Sequence, residues 1–199
     1  MKERPPAGVP SDRQSSAGIV LVGLGNGAEP GAGHLPALRH VAARLADRLS
    51  WTVLDLRTQA GPDAALAALC AQEHNQAGLW LAGLDTDVGL PLEEGHCWAE
   101  ALGAWRQPVL LVVPAIQLKS GLPAAATALL RQWQVPLLGL LQWGGSWQAR
   151  ARRHDGLPWL GMLAEEASVE GSDGDELAAD SAASLATVLA LRWRQLDLA

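Results

Sequence analysis

The chain has 199 residues, of which 49% are apolar and 18% charged, and its formal net charge is −6. That balance fits one globular domain with a real core and excludes a wholly disordered chain. Lysine occurs only at positions 2 and 119, so the overall charge argues against nucleic acid as a partner; nine Trp stand with no Phe and no Tyr, which excludes any mechanism built on a catalytic tyrosine.

Residues 1–17 are rich in Pro, Ser and charge and lack the apolar centre of a signal peptide, so they read as a flexible tail. The span 18–163 reads as an α/β domain. Gly18–Gly23 (Gly-Ile-Val-Leu-Val-Gly) predicts the first strand, and a loop with Gly25, Gly27, Gly31 and Gly33 follows it. Leu35, Leu38, Ala42, Leu45 and Leu49 recur at spacings of three and four, the face of one helix, with Arg39, His40, Arg44 and Asp47 left for solvent. Trp51–Leu56 predicts a second strand, Pro62 or Asp63 opens a helix through Leu66, Leu69 and Cys70, and Ala77–Ala82 predicts a third strand.

Gly83 to Gly95 reads as a loop carrying Asp85, Asp87, Glu93 and Glu94, and a helix through Trp98, Leu102 and Trp105 follows. Val109–Val113 is a continuous apolar run ended by Pro114, as in a strand buried on both faces. Ala124–Gln134 has no internal Gly or Pro and predicts a helix, and Leu137–Leu141 is a second buried-strand run. Such a strand–helix–strand unit is a right-handed crossover between parallel strands. Leu157–Leu163 predicts a short last strand. Residues 164–176 read as an acidic linker, with six acids between Glu165 and Glu176, and residues 177–199 as a C-terminal helix packing on the domain. Alternating strands and helices predict a doubly wound, mostly parallel α/β sheet of about five or six strands in a three-layer sandwich.

No apolar run approaches the roughly 20 residues needed to span a bilayer, so no membrane association is expected. Cys70 and Cys97 form neither a disulfide framework nor a C-x-x-C pair; free thiols fit a reducing cytoplasm, the expected location.

Ligands of doubly wound sheets bind beyond the carboxyl ends of the strands, which draws attention to five loops. The first, with Gly25, Gly27, Gly31 and Gly33, joins a strand to a helix, where free amides attract phosphate. Its Gly27-x-x-x-Gly31-x-Gly33 spacing is that of short-chain dehydrogenases, and Asp55 lies where a ribose-binding acid is expected. The plain alternative is a glycine loop with no ligand, and Pro30 removes a donor from its middle. Asp85 and Asp87, with Glu93, Glu94, His96 and Cys97 nearby, are the candidates for a divalent cation; a solvated acidic loop is the plain alternative. Lys119 is the one lysine placed to reach a phosphate. Trp143-Gly-Gly-Ser-Trp147 offers two indoles to a base or a partner protein, or else caps the core. Arg150, Arg152, Arg153 and His154 read as a solvated loop or short helix.

From Gly83 onward the chain resembles the second half of dethiobiotin synthetases, P-loop α/β enzymes. The resemblance rests on Leu90-Pro-Leu, on Trp98-Ala-Glu-Ala-Leu-Gly-Ala-Trp-Arg-Gln-Pro-Val-Leu-Leu-Val-Val, on Val135-Pro-Leu-Leu-Gly-Leu-Leu, and on Gly156-Leu-Pro-Trp-Leu-Gly-Met-Leu. It spans roughly 80 residues. The family's Gly-Thr-Asp-Thr-x-Val-Gly-Lys-Thr phosphate loop is absent from the N-terminal part. Gly83-Leu-Asp-Thr-Asp-Val-Gly89-Leu90-Pro91 keeps its glycine spacing but has Leu and Pro where Lys and Thr belong, and Trp143 stands where the family often has an Asn near adenine.

The resemblance therefore implies a degenerate relative acting as a non-catalytic binding or regulatory protein, for a small-molecule or nucleotide ligand. Two alternatives stay open at this stage: a nucleotide-dependent ligase using the first glycine loop, and a dinucleotide-binding protein using that loop with Asp55. A protein partner reached through Trp143 and Trp147, and a homodimer, are compatible with the same features.

Overall fold

A computed structural model of the chain describes residues 18–23, 36–73, 78–92, 96–164, 185, 187–189 and 191–193. Its elements are β1 Gly18–Gly23, α1 Leu38–Leu49, β2 Thr52–Val53, α2 Pro62–Glu73, β3 Trp80–Asp87, α3 Trp98–Ala104, β4 Val109–Pro114, α4 Leu122–Gln132, β5 Leu137–Trp143, α5 Ala149–His154 and β6 Trp159–Leu163. The six strands form one sheet in the order β2-β3-β1-β4-β5-β6, and every pairing is parallel. The fold is doubly wound α/β.

The two longest apolar runs become neighbours, as their sequence requires. β4 pairs with β5 from Val109↔Leu137 to Pro114↔Trp143, and every residue of β4 is buried. Alternate side chains feed opposite faces. Val109, Leu111 and Val113 join Ala65, Leu66, Leu102 and Leu130 under α2, α3 and α4. Leu110 and Val112 join Leu38, Val41, Leu45 and Trp143 under α1, together with Leu185 and Leu189 of a helical stretch near the C-terminus.

The two faces follow from handedness. The chain leaves β1 for β2 over the α1 face, then returns through β3, β4 and β5 over the other. Right-handed crossovers demand that change of face when the direction of travel reverses. The reversal occurs at β1, so the crevice for ligands lies at its carboxyl end.

Several bounds differ from the sequence reading, among them those of three strands. β3 does not end at Ala82 but runs through Gly83 to Asp87, so residues 83–87 are strand and not loop. β2, an edge strand with one partner, covers only Thr52–Val53, although Leu54 still donates to the Leu81 carbonyl at 2.8 Å. β6 begins at Trp159 rather than Leu157. The tail at 1–17 and the acidic linker lie outside the described residues, apart from Ala164. Among the described residues no helix is long and apolar enough to cross a membrane.

Candidate functional site

The extension of β3 places Asp85 and Asp87 at the carboxyl rim of the sheet. It also explains Gly83. A Cβ on this residue would run into the backbone of Leu38 and Arg39, so the first turn of α1 rests directly on the strand, an approach only glycine permits. The glycine spacing at 83–89 is thus a strand and a turn. It does not form a phosphate loop.

With α1 so close, Asp85 Oδ1 accepts the Arg39 backbone N–H at 3.1 Å and Oδ2 accepts its Nη1 at 2.9 Å. Ala37, the residue that opens the helix, has no side chain to cap it. Asp85 supplies the missing acceptor from a neighbouring strand and sets a negative charge at the positive end of the helix.

Asp55, at the end of β2, is the neighbour on the other side. Its Oδ2 accepts Arg57 Nε at 2.9 Å, and Gln72 Nε2 donates to its carbonyl at 3.1 Å. Arg39, Asp55, Arg57, Thr58, Gly83 and Asp85 line a concavity of about 300 Å³ at the carboxyl ends of β2 and β3. The sequence candidates Asp55 and Asp85 are therefore brought to one concavity, each paired with an arginine, Arg57 and Arg39 respectively. Thr58 adds a hydroxyl from the short 3-10 turn at Thr58–Ala60. Such a lining can exchange hydrogen bonds with hydroxyl, amine and anionic groups of one ligand.

The remaining candidates separate. Gly25, Gly27, Gly31 and Gly33 fall outside the described residues. Asp87 Oδ1 accepts the Gly89 N–H at 2.8 Å, and His96 Nδ1 lies 2.9 Å from Glu100 Oε2. Glu93 and Glu94 are outside the described residues, and among those described no group of three or more His, Cys, Asp or Glu forms that could hold a metal ion. Lys119 is exposed in the turn before α4, where Ser120 Oγ accepts the Leu122 N–H at 3.3 Å.

The two indoles after β5 go different ways. Trp143 is 5% exposed and packs under α1, with Arg44 5.1 Å from its ring centroid. It caps the core and does not face a cleft. Trp147 is 37% exposed and meets Trp159 edge-on at 6.3 Å.

Sequence reasoning missed Arg39, while Arg57 and Thr58 belong to one of the five candidate loops, Arg57–Gly61, in which it singled out no residue. Arg39 was read as a solvent-facing helix residue. The signal that could have found it was Gly83, because a glycine inside an apolar run marks a close backbone approach. Neither a protein-family model nor a curated protein matches the chain.

Proposed function

We propose that the protein is a binding or regulatory α/β protein that holds a small polar, nucleotide-like ligand at the carboxyl rim of β1–β3 and does not transfer phosphate. The observation that supports this reading most is the concavity in which Asp55, Arg57, Arg39 and Asp85 meet, beside the strand from which the glycine-rich segment departs. That rim is where doubly wound sheets place their ligands. The non-catalytic part rests on sequence: no lysine stands in either glycine-rich segment, and phosphoryl chemistry in P-loop proteins needs one there. Cys70 and Cys97 are not joined in a disulfide, in keeping with a cytoplasmic location.

A thermal-shift panel of ATP, ADP, NAD, NADP and diaminopelargonic acid tests the proposal. A ligand at about 100 times its dissociation constant stabilises the fold by roughly 2.7 kcal/mol, and Asp55→Asn with Arg57→Ala abolishes that gain. Absence of stabilisation by every compound overturns the binding role. Mg²⁺-dependent ATP turnover that disappears in Lys119→Ala overturns the non-catalytic one.

A further inference from the structure

α5 presents a different chemistry at the same rim. It follows β5, two strands away from β1. Arg150, Arg152, Arg153 and His154 occupy four of five consecutive positions in a chain of net charge −6, and of these only Arg152 packs against the fold, on Trp159, while the others are exposed. An open concavity of about 750 Å³ lies against it, lined among others by Leu118, Gln148, Arg150, Arg152, His154 and Asp155.

Arg152 is the unusual member. Its side chain is only 12% exposed. The guanidinium sits 4.9 Å from the centroid of the Trp159 ring, and Nη1 donates to Asp155 Oδ2 at 3.3 Å. That carboxylate also accepts Trp159 Nε1, at 3.0 and 2.9 Å, and the Leu157 N–H at 3.0 Å. Arg152 Nε is buried with no hydrogen-bond partner among the described residues. A largely desolvated cation thus leans on one long bond to a carboxylate that serves two other donors. Guanidinium carries five N–H donors in a fixed fork, and leaving buried charged donors unspent is unfavourable. The ring and the carboxylate nonetheless hold the fork in one orientation, as a recognition arginine is held.

We propose that this concavity is an anion site, in which Arg150, Arg152 and His154 receive the phosphate or carboxylate group of a small ligand. Arg152 is the recognition residue, positioned by Trp159 and Asp155. The site is separate from the concavity at Asp55 and does not depend on the function proposed for it.

The full-length protein is titrated with inorganic pyrophosphate and, separately, with citrate at constant ionic strength. The indole N–H signals of Trp159 and Trp147 report binding by nuclear magnetic resonance. The expected result is a saturable shift of the Trp159 signal. The tighter of the two probes distinguishes a phosphate from a carboxylate ligand. Arg152→Gln weakens binding by about tenfold, the loss of one charge-assisted hydrogen bond. Arg150→Gln, at an exposed position, also weakens it several-fold and keeps the test valid if Arg152→Gln disturbs Trp159. Arg131→Gln, exposed on α4, serves as the control for net charge and leaves affinity unchanged. A non-saturable response, full affinity in Arg150→Gln, or equal weakening in Arg131→Gln overturns the site.

Discussion

Asp85 accepts hydrogen bonds from both the backbone and the guanidinium of Arg39, a carboxylate on β3 capping the helix that follows β1. The two halves of this contact differ in weight. The Arg39 side chain is 67% exposed, and exposed ion pairs contribute about 0–1 kcal/mol. The backbone bond satisfies a helix-terminal donor, worth about 0.5–2 kcal/mol. Asp85→Ala should therefore destabilise the fold by about 1–2 kcal/mol in urea titrations, and Arg39→Ala by less than about 1 kcal/mol. Equal losses would show that the ion pair, and not the cap, is what matters.

Gly83 forms the floor beneath that cap. Gly83→Ala should cost on the order of 1–3 kcal/mol by overpacking, because the obstacle is the backbone of Leu38 and Arg39 and not a side chain that can swing away. Unchanged stability in the alanine variant would mean that α1 does not rest on the strand.

Leu111, at 1% exposure on β4, lies under the α2–α4 layer. Leu111→Ala should cost about 2–5 kcal/mol through lost transfer energy and a residual cavity. A loss below about 1 kcal/mol would indicate a site able to collapse or a strand less enclosed than its burial implies.

The two tryptophans after β5 should part company in solution. Trp143→Ala removes a buried indole beneath Arg44 and should cost about 3–5 kcal/mol. Trp147→Ala, at a part-exposed position, should cost less than about 1.5 kcal/mol, the range of an aromatic pair contact. Acrylamide should quench the Trp147 emission and spare Trp143. The opposite pattern would return Trp143 to the role of a ligand-stacking residue.

Much of the fold was readable because burial on both faces leaves a plain mark. Val109–Val113 and Leu137–Leu141 could be placed side by side from their apolar runs alone, and Gly18–Gly23 forms the strand read for it. The reading failed where a residue's role is set across the fold. Gly83 looked like the end of a strand because its partner, the turn of α1, lies more than forty residues earlier in the chain. Trp143, at the end of the fifth strand, could be read as either a ligand-stacking or a core-capping residue, because nothing local indicates that Arg44 covers it. Of the candidate site, Asp55 and Asp85 were legible as acids near strand ends. Their meeting with Arg39 and Arg57 was not, since neither arginine departs from an ordinary surface pattern.

All six strands point the same way, so both concavities lie on the rim where the chain leaves the sheet. Among the described residues the opposite rim carries arrivals, among them Gln132 at the end of α4, which is exposed. A seven-residue strand such as β5 separates the rims by about 20 Å. A tether at Gln132 on a sensor surface would therefore hold the protein with both concavities facing the flowing solution. Attachment through Lys119, in the turn that leads out of β4, would press that same rim against the chip and hide both concavities from the ligand.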